Sequence, residues 1–411
     1  MPSARQRLVV VGAGAGGDAA VVAARAAGFD GPVLLVGDDP HPAYERPFLS
    51  KGFLRDEVPL DRVFLHPPDG YSVLDVEWIG GRRVVDADPR ARSLTLDDGR
   101  RFAFDQLVLA TGGAPRWLEG APRAANVLTL RTLDDSIHLR QALTESHRLL
   151  VIGAGFVGAE VAASARMQAK EVLLIEAAAV PLERALGEKV GGAMAELHRR
   201  HGVDLRTRSS VGRWLMRHDR VEAVELTDGT REEVDCVLLA VGIEPALDLA
   251  RGLRLPLGSG GVLVDETLQA APGIHCVGDI ASHRHPLFQR PLRAEHWQVA
   301  RRQGQALGST VVGRPQPYSE LPWFWSDQYD VRLEYVGHAA GFEQAVWRGE
   351  PAAGPYAVFY LKAGRVDAVL AVDDGRSIRF GRELIRGRQV VDPARLGDPT
   401  TDLRELVRAG P

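Results

Sequence analysis

Two short glycine-rich segments carry the clearest chemistry in this chain of 411 residues. Both have the spacing G-x-G-x-x-G, at Gly12–Gly17 and at Gly153–Gly158. In the first, Gly12 allows a tight turn, Gly14 lets the backbone approach a phosphate, and Gly17 lets a helix pack on a strand. A helix that begins at such a turn offers free N–H donors and a partial positive charge to a pyrophosphate. The two segments therefore predict two dinucleotide-binding sites.

An acidic residue stands at the end of the apolar run that follows each glycine segment, Asp38 in the first case and Glu176 in the second. A carboxylate at this position accepts hydrogen bonds from the ribose hydroxyls of an adenosine and repels a 2′-phosphate. Residues 177–179 are all alanine, so no adjacent cation compensates Glu176, and Arg184 lies further along the loop. The second site is therefore predicted to favour NADH over NADPH.

The elements that position these motifs are visible in the hydrophobic pattern. A short apolar run precedes each glycine segment, and a second run follows it after one helical stretch. Strand, glycine turn, helix, strand and acid form a βαβ unit, and its recurrence indicates an internal duplication. The predicted elements are the strands Leu8–Val11, Val33–Val36, Leu149–Ile152 and Val172–Ile175 and the helices Asp18–Ala27 and Ala159–Ala169. The predicted fold class is α/β.

Short strands with Asp-Gly turns lie between and after these units, around Asp98 and Asp228. They are typical of β-meanders inserted into α/β units, and each leads into an apolar strand ending in glycine, at Gly112 and Gly242. From about Pro315 the pattern changes. An aromatic stretch and alternating strands are predicted there, at Pro322–Trp325, Val331–Val336, Ala357–Leu361 and Val366–Val372. This part predicts a separate small α+β domain that ends in a polar helical tail.

The composition excludes several classes of protein. A formal net charge of −4 does not indicate a nucleic-acid binder or a polybasic membrane protein. The sequence has no apolar run of about 18 residues and no signal-peptide pattern, so no membrane helix is expected and a cytoplasmic location is predicted. The two cysteines, Cys236 and Cys276, are far apart, which excludes a dithiol redox centre. His283 and His285, on a predicted loop, lack a third metal ligand, so no metal site is expected.

Two nucleotide units in one chain suggest that two nucleotides meet. Hydride transfer between them requires nicotinamide C4 close to flavin N5 in a near-attack geometry. That step needs no acid or base from the protein, which agrees with the lack of an obvious triad, paired-carboxylate or metal motif in the sequence. The pattern therefore favours a flavin- and NADH-dependent oxidoreductase.

The segment Tyr44–Lys51, YERPFLSK, is similar to the R-P-x-L-S-K segment of the FAD-dependent ferredoxin–NADH reductases that serve Rieske oxygenases and bacterial P450s. Together with the glycine motifs, it makes the chain resemble that family over nearly its whole length. The resemblance implies two Rossmann-like dinucleotide-binding domains and a C-terminal α+β domain in a glutathione-reductase-like architecture. The FAD domain is expected at 1–113 and 245–318, the NAD domain at 114–244 and the C-terminal domain at 319–411.

The resemblance also implies which residues act on the cofactors. Lys51 would stabilise negative charge on the reduced flavin, Glu160 would lie beside the nicotinamide, and Trp297 would pack on the flavin or shape the electron exit. These three are the predicted catalytic residues. Non-covalent FAD is expected to contact Gly12, Gly14, Ala15, Gly17, Asp38, Arg46, Lys51, Val85, Ala110, Thr111, Gly112, Arg131, Asp279, Glu295, His296 and Trp297. NADH and NAD+ are expected to contact Gly153, Gly155, Val157, Gly158, Glu160, Glu176, Arg184 and Gly242.

One departure from relatives of that superfamily is informative. Relatives that reduce disulfides carry a cysteine pair on a helix, and relatives that reduce peroxide, oxygen or coenzyme A disulfide carry a single cysteine near the position of Ser50. This chain has no cysteine before Cys236, so no thiolate relay is possible there and electrons must leave the flavin directly. The resemblance implies a 2Fe-2S ferredoxin as the acceptor, itself serving a P450 or a Rieske oxygenase.

A basic docking face is expected because ferredoxins are usually acidic. Four arginines cluster around Trp297 in the sequence, Arg290, Arg293, Arg301 and Arg302. They form either this docking face or a solvated arginine-rich helix. Trp323 and Trp325 are predicted to anchor a domain interface.

Three other functions stay open. A rubredoxin reductase is the same class of enzyme with a different carrier. An NADH:quinone or other small-molecule oxidoreductase would be supported by a pocket at the nicotinamide side together with ping-pong kinetics. An apoptosis-inducing-factor-like flavoprotein would have a mainly structural role, but the chain shows neither a targeting sequence nor long insertions.

Overall fold

The computed structural model describes residues 6–258 and 260–408. The chain forms two compact units. The first unit contains the chain up to Pro47, Pro59–Ala114 and Ile243–Glu320. The second unit contains Phe48–Val58, Pro115–Gly242 and the chain from Leu321 onward. The outer ends of the expected domains, residues 1–5 and 409–411, lie outside the described residues.

A six-stranded sheet forms the centre of the first unit. Its strands in spatial order are Gln269–Ala271, Ile274–Cys276, Gln106–Leu109, Leu8–Val11, Val33–Val36 and Val76–Ile79. All neighbours pair in parallel except the edge strand Gln269–Ala271. Leu8–Val11 is buried at all four positions, which is the continuous apolar pattern of a parallel strand covered on both faces.

Smaller elements complete the first unit. Its other strands are Val84–Asp88, Ser93–Leu96 and Arg101–Ala103 in one sheet, and Leu257–Gly258, Gly261–Val264, Ala281–His285 and Arg290–Leu292 in another. Its α-helices are Ala15–Ala26, Gly70–Val73, Asp248–Gly252 and Trp297–Val311, and its short 3-10 turns include Leu60–Arg62 and Gly278–Ile280. The chain leaves and re-enters this unit through the paired strands Gly113–Pro115 and Ile243–Pro245, and the 3-10 turn Arg46–Phe48 spans another crossing point.

Two helices of the first unit pack backbone against backbone. These are Ala15–Ala26, here the first glycine helix, and Trp297–Val311. A Cβ atom at Gly304 would lie 2.1 Å from the carbonyl oxygen of Gly16, and one at Gly308 would lie 2.5 Å from that of Ala23. Larger residues at these positions would force the helices apart, so the two glycines fix their close approach.

The second unit contains a five-stranded parallel sheet and a five-stranded antiparallel sheet. The parallel order is Asp204–Thr207, Glu171–Glu176, Arg148–Ile152, Cys236–Leu239 and Val127–Leu128, with Val211–Arg217, Arg220–Leu226 and Arg231–Glu233 as a separate meander. The antiparallel order is Trp323–Gln328, Val331–Gly337, Arg365–Val372, Tyr356–Lys362 and Gln344–Arg348. The helices are Leu133–Glu145, Phe156–Met167, Glu183–Leu186, Glu188–Arg200, Gly375–Gly387, Pro393–Gly397 and Leu403–Arg408.

The antiparallel sheet shares a hydrophobic cluster with the helix Glu188–Arg200. Val190, Met194 and Leu197 of that helix pack in one cluster with Tyr335 and Tyr360 of the sheet. On the strand Trp323–Gln328, burial alternates, so that Phe324, Ser326 and Gln328 are buried and the residues between them are half-buried. The strand therefore turns every second side chain inward.

The predicted strands Leu8–Val11 and Val33–Val36 are confirmed. The two glycine-motif helices begin three residues before their predicted starts, at Ala15 and at Phe156. The reason is that Gly14 and Gly155 are extended N-cap residues, after which the chain enters helical conformation at once. Phe156–Met167 is called the second glycine helix below.

Candidate functional site

The first glycine motif forms a cradle in which Gly12 and Gly17 leave no room for a side chain. Gly12 has φ +102°, and a Cβ there would lie 2.2 Å from the carbonyl oxygen of Ala110. A Cβ at Gly17 would lie 1.8 Å from the carbonyl oxygen of Gly12. Gly14 is the N-cap of the helix and makes no side-chain hydrogen bond. No side chain at the N-cap therefore accepts from the first backbone N–H groups, from Ala15 onward, and the helix dipole gives this end a partial positive charge. This donor set fits the pyrophosphate of FAD.

A cation lies beside this cradle. The guanidinium atoms of Arg46 come within 3.8–3.9 Å of the Cβ position of Gly14. Asp38 is exposed just beyond the strand Val33–Val36, with Arg83 Nη2 3.8 Å from its Oδ2, and Val85 is an exposed apolar residue. The guanidinium of Arg46 suits the phosphates of an adenosine diphosphate. The exposed carboxylate of Asp38, at the end of the next strand, suits the hydroxyls of its ribose.

The remaining predicted FAD residues of the first unit lie in two loops. Ala110, Thr111 and Gly112 follow the strand Gln106–Leu109, and the Thr111 hydroxyl donates to the Ala246 carbonyl at 2.8 Å. Asp279 is buried in the 3-10 turn Gly278–Ile280.

The turn that carries Asp279 is supported by Gln303, a residue that was not among the predicted site residues. The Gly278 N–H donates to Gln303 Oε1 at 2.7 Å, from the helix Trp297–Val311. Gln303 is itself buried. The role of Gln303 could not be predicted from the sequence, because its hydrogen-bond partner is a backbone N–H group 25 residues earlier.

The segment before the helix Trp297–Val311 is tied to the same turn. Arg293 donates to the Asp279 carbonyl at 3.0 Å and pairs with Glu295. Burial lowers the pKa of His296 to about 4, against an opposing effect of Asp279, so its imidazole is neutral at pH 7. The Arg301 guanidinium lies 5.3 Å from the ring centre of Trp297.

The second glycine motif repeats the first in detail. Gly153 has φ +99°, and Gly155 has the same backbone angles as Gly14, φ −74° and ψ −173°. A Cβ at Gly158 would lie 1.9 Å from the carbonyl oxygen of Gly153. The sequence duplication is thus a duplication of geometry, and this cradle fits a second pyrophosphate, as in NAD.

Glu176 faces the second cradle. Its Oε2 accepts from the Ala154 N–H at 2.7 Å and its Oε1 from the Ala178 N–H at 2.9 Å. These bonds hold the carboxylate at the end of its strand, where ribose hydroxyls are bound in dinucleotide folds. Val157 and Arg184 are exposed, and Gly242 has a positive φ of +94°.

Lys51 and Glu160 meet in a buried polar cluster of the second unit. Lys51 Nζ lies 2.8 Å from Glu160 Oε1, and their side chains are 11% and 7% exposed. The Ser50 hydroxyl donates to Glu160 Oε2 at 2.5 Å, and the Ser326 hydroxyl donates to Oε1 at 2.7 Å. Two residues predicted from separate motifs are therefore in direct contact. Ser326 was not among the predicted site residues, because 166 positions separate it from its partner.

Arg131 lies just before a well-capped helix of the second unit. Its backbone N–H and that of Thr132 both donate to Asp135 Oδ2 at 2.9 Å, and the Thr132 hydroxyl accepts from the Asp135 N–H. This reciprocal capping box begins the helix Leu133–Glu145 and fixes the backbone at Arg131.

Residues 6–304 match the family model for pyridine nucleotide-disulphide oxidoreductases, and residues 323–407 match the model for the reductase C-terminal domain. The chain belongs to the pyridine nucleotide-disulphide oxidoreductase family. It is 35% identical over 413 residues to putidaredoxin reductase of Pseudomonas putida, covering 99% of this chain and 98% of that protein. It is 36% identical to the ferredoxin–NAD(+) reductase component of the anthranilate 1,2-dioxygenase system of Burkholderia cepacia, covering 97% and 98%. The crystal structure of the covalent putidaredoxin reductase–putidaredoxin complex matches with a TM-score of 0.95 at 35% identity, covering 99% of both chains.

The predicted family, fold class and oxidoreductase activity are thereby confirmed. The cofactors used in this family of oxidoreductases are FAD and NAD(H), as predicted. Among the described residues, no helix is both long and apolar enough to cross a membrane.

This pyridine nucleotide-disulphide oxidoreductase has no accessible thiol. Cys236 and Cys276 are both buried on strands. Burial raises the pKa of Cys236 to about 12 and raises that of Cys276 further. Neither thiol is therefore ionised near pH 7, and the reactive species in thiol chemistry is the thiolate.

The prediction of a loop at His283 and His285 is wrong. Both histidines are buried on the strand Ala281–His285, which pairs with Arg290–Leu292. Burial lowers the pKa of His283 to about 4. In the part of the chain that the structure describes, no group of three or more potential metal ligands comes together.

Proposed function

We propose that this protein is a ferredoxin–NAD(+) reductase, which takes electrons from NADH and passes them singly to a 2Fe-2S ferredoxin of a P450 or Rieske oxygenase system. The observation that carries the proposal is the pair of equivalent glycine cradles in a chain without an accessible thiol. Full-length similarity to putidaredoxin reductase and to a dioxygenase reductase component supports it.

In this proposal each glycine cradle holds one cofactor. FAD is held at the first cradle by the residues expected from the sequence, with Arg46 and the N–H groups after Gly14 on its phosphates. NADH is held at the second cradle, with Glu176 on its adenosine ribose. When bound, FAD supplies the acceptance of a hydride and the release of electrons one at a time. The division into an FAD domain, an NAD domain and a C-terminal domain is proposed with the boundaries expected from the sequence.

The proposed roles of Lys51 and Glu160 follow from their ion pair. Their charges compensate each other in a site nearly closed to water, where a fixed ammonium group interacts more strongly than it would in solution. Lys51 is proposed to stabilise negative charge that develops on the flavin, and Glu160 to hold Lys51 in place and border the nicotinamide. No proton has to be donated or removed by either residue.

Preference for NADH is proposed to rest on Glu176. Its carboxylate is held by two backbone N–H groups, so it cannot readily turn away from a 2′-phosphate. A negative group fixed at that position disfavours NADPH by like-charge repulsion.

The ferredoxin is proposed to dock near Trp297. Of the four arginines expected there, Arg293 is paired with Glu295, whereas Arg301 and Arg302 lie on the helix that Trp297 begins. Arg302 is exposed and Arg301 covers the Trp297 ring. The proposed docking surface therefore centres on Arg301 and Arg302. A cytoplasmic location is part of the same proposal.

The proposal is tested by following cytochrome c reduction with NADH and with NADPH, with and without added 2Fe-2S ferredoxin. Turnover that favours NADH and rises steeply with ferredoxin is the expected result. Fast NADH consumption that ferredoxin leaves unchanged would indicate a small-molecule acceptor and would remove the basis for the docking surface.

A further inference from the structure

The strand Trp323–Gln328 brings an unpredicted hydroxyl group to Glu160. Ser326 is 1% exposed, and its Oγ lies 2.7 Å from Glu160 Oε1, the same oxygen that pairs with Lys51. Ser50 binds the other oxygen. The carboxylate is thus held from three directions, and one of the three donors belongs to the antiparallel sheet.

A second layer of buried polar groups lies behind Ser326. Gln328 is 1% exposed, and its Nε2 donates to Ser326 Oγ at 3.1 Å. The imidazole of His198 is completely buried beside Gln328. Tyr329 Oη lies 2.9 Å from His198 Nδ1. Ser326 and Gln328 are thus one hydrogen-bonded pair and His198 and Tyr329 a second, next to a cluster of mostly apolar side chains.

The protonation state of His198 follows from its burial. Burial lowers the pKa of His198 to about 4, against a smaller, opposing effect of Gln328, so the ring is neutral at pH 7 and carries one hydrogen. Among the described residues, His198 Nε2 and Gln328 Oε1 meet no group at a standard hydrogen-bond distance.

The hydrogen bond from Gln328 limits the directions that the Ser326 hydroxyl can take. A serine has one hydrogen to donate, and Ser326 already accepts from Gln328. Its hydrogen is therefore directed to Glu160. We infer that Ser326 is a positioning residue that holds the Glu160 carboxylate against Lys51, and that Gln328 keeps the Ser326 hydroxyl directed at that carboxylate.

A purely structural role explains the arrangement less well. Burying a polar side chain costs free energy that its hydrogen bonds only offset, and apolar residues of similar shape would fill the same space without that cost. Here two buried polar side chains, Ser326 and Gln328, lie on a strand that reaches Glu160. The inference rests on the proposed role of Glu160 in the reaction with NADH.

The test is a double-mutant cycle in the FAD-loaded protein, with Ser326→Ala, Glu160→Gln and the double variant. The limiting rate of FAD reduction by NADH is measured under anaerobic conditions without ferredoxin. Loss of a hydrogen bond to a charged group predicts a rate lower by roughly 10-fold to 100-fold in Ser326→Ala. In the Glu160→Gln background, the same change is expected to lower the rate by less than about 2-fold, because Ser326 acts through Glu160.

A second readout does not depend on turnover. The equilibrium constant for reduction of the bound FAD, measured against a reference dye, is expected to fall by roughly 3-fold to 10-fold in Ser326→Ala, because a carboxylate with fewer donors disfavours added negative charge. The dissociation constant of NAD+ is expected to stay at the parent value. Ser377→Ala is the matched control, since Ser377 is equally buried in the second unit but its hydroxyl binds Asp374.

Equal rate losses in the parent and Glu160→Gln backgrounds, or an unchanged equilibrium constant, would overturn the inference. If Ser326→Ala does not retain FAD, Gln328→Leu takes its place in the cycle, with a smaller rate loss expected in the same direction, and additivity with Glu160→Gln would again overturn the inference. Because no ferredoxin is present, these outcomes are independent of whether ferredoxin is the acceptor. Failure of the proposed function would instead appear as parent turnover that ferredoxin does not raise.

Discussion

Replacing Lys51 by Met tests the buried ion pair at the centre of the proposed mechanism. Lys51 Nζ and Glu160 Oε1 are 2.8 Å apart in side chains that are 11% and 7% exposed. At an effective dielectric constant of about 20, unit charges at that distance attract by about 6 kcal/mol, and the cost of burying both charges offsets much of this. Removing one partner of a buried pair leaves the other charge uncompensated, which costs about 3–5 kcal/mol. The second unit of Lys51→Met is therefore expected to unfold at a lower urea concentration.

The same variant is expected to react slowly with NADH. Methionine keeps a long unbranched side chain but removes the charge, so the substitution reports on electrostatics more than on volume. Loss of one preorganised group that stabilises developing charge typically lowers a rate by roughly 100-fold to 1000-fold. Anaerobic stopped-flow spectroscopy of the FAD absorbance after mixing with NADH measures this rate directly.

Lys189→Met is the matched control for Lys51→Met. Lys189 is an exposed lysine of the same unit, with its Nζ 4.4 Å from the ring centre of Trp347, and its replacement is expected to leave FAD reduction unchanged. Reduction of Lys51→Met at the parent rate would refute the electrostatic role of Lys51, whatever the effect on stability.

Three further changes have defined expectations. Glu176→Gln removes the charge that faces the second cradle, so the KM for NADPH is expected to fall by about 10-fold or more in steady-state assays, with the KM for NADH little changed; equal use of both nucleotides by the parent protein would contradict this. Gly17→Ala places a Cβ 1.8 Å from the Gly12 carbonyl oxygen and is expected to yield protein that loses FAD on gel filtration, whereas Gly252→Ala, where nothing lies within 4 Å, retains it. Burial lowers the pKa of His275 from 6.5 to about 4. As the pH drops from 6.5 to 4, the unfolded chain therefore binds a proton at His275 before the folded protein does. The free energy of unfolding is expected to fall over this range, by on the order of 3 kcal/mol at pH 4 for His275. His275→Leu is expected to make this part of the pH–stability curve, measured by urea unfolding, less steep, while His198, His283 and His296, whose pKa burial also lowers to about 4, still contribute to the slope. An unchanged slope would show that His275 does not contribute.

The parts of the fold that depend on local pattern could be predicted from the sequence. Leu8–Val11 and Val33–Val36 are fully buried parallel strands, and such strands appear in a sequence as unbroken apolar runs. The glycine motifs specify backbone geometry directly, which is why both cradles could be foreseen. The starts of the two helices could not be placed from hydrophobic periodicity alone, because their first residues follow from the extended N-cap glycines rather than from an apolar face.

Contacts between distant parts of the chain were beyond sequence reasoning. Ser326 directly follows the predicted aromatic stretch Pro322–Trp325, but its partner Glu160 is 166 residues earlier. Gly304 and Gly308 resemble ordinary helix residues until the first glycine helix is placed against them. His283 and His285, predicted on a loop, are instead buried on a strand that pairs with Arg290–Leu292, which lies several residues further along the chain. In each case both partners are present in the sequence, but nothing in the local pattern shows that they meet.

Electrons are proposed to leave the flavin directly for a one-electron carrier. The most direct test mixes protein already reduced by NADH with oxidised 2Fe-2S ferredoxin in an anaerobic stopped-flow instrument and follows both chromophores. Reoxidation of FAD at a rate that rises with ferredoxin concentration, with about two ferredoxins reduced per NADH consumed, is the predicted result. FAD that stays reduced in the presence of ferredoxin, but is rapidly reoxidised by a quinone, would contradict the claim.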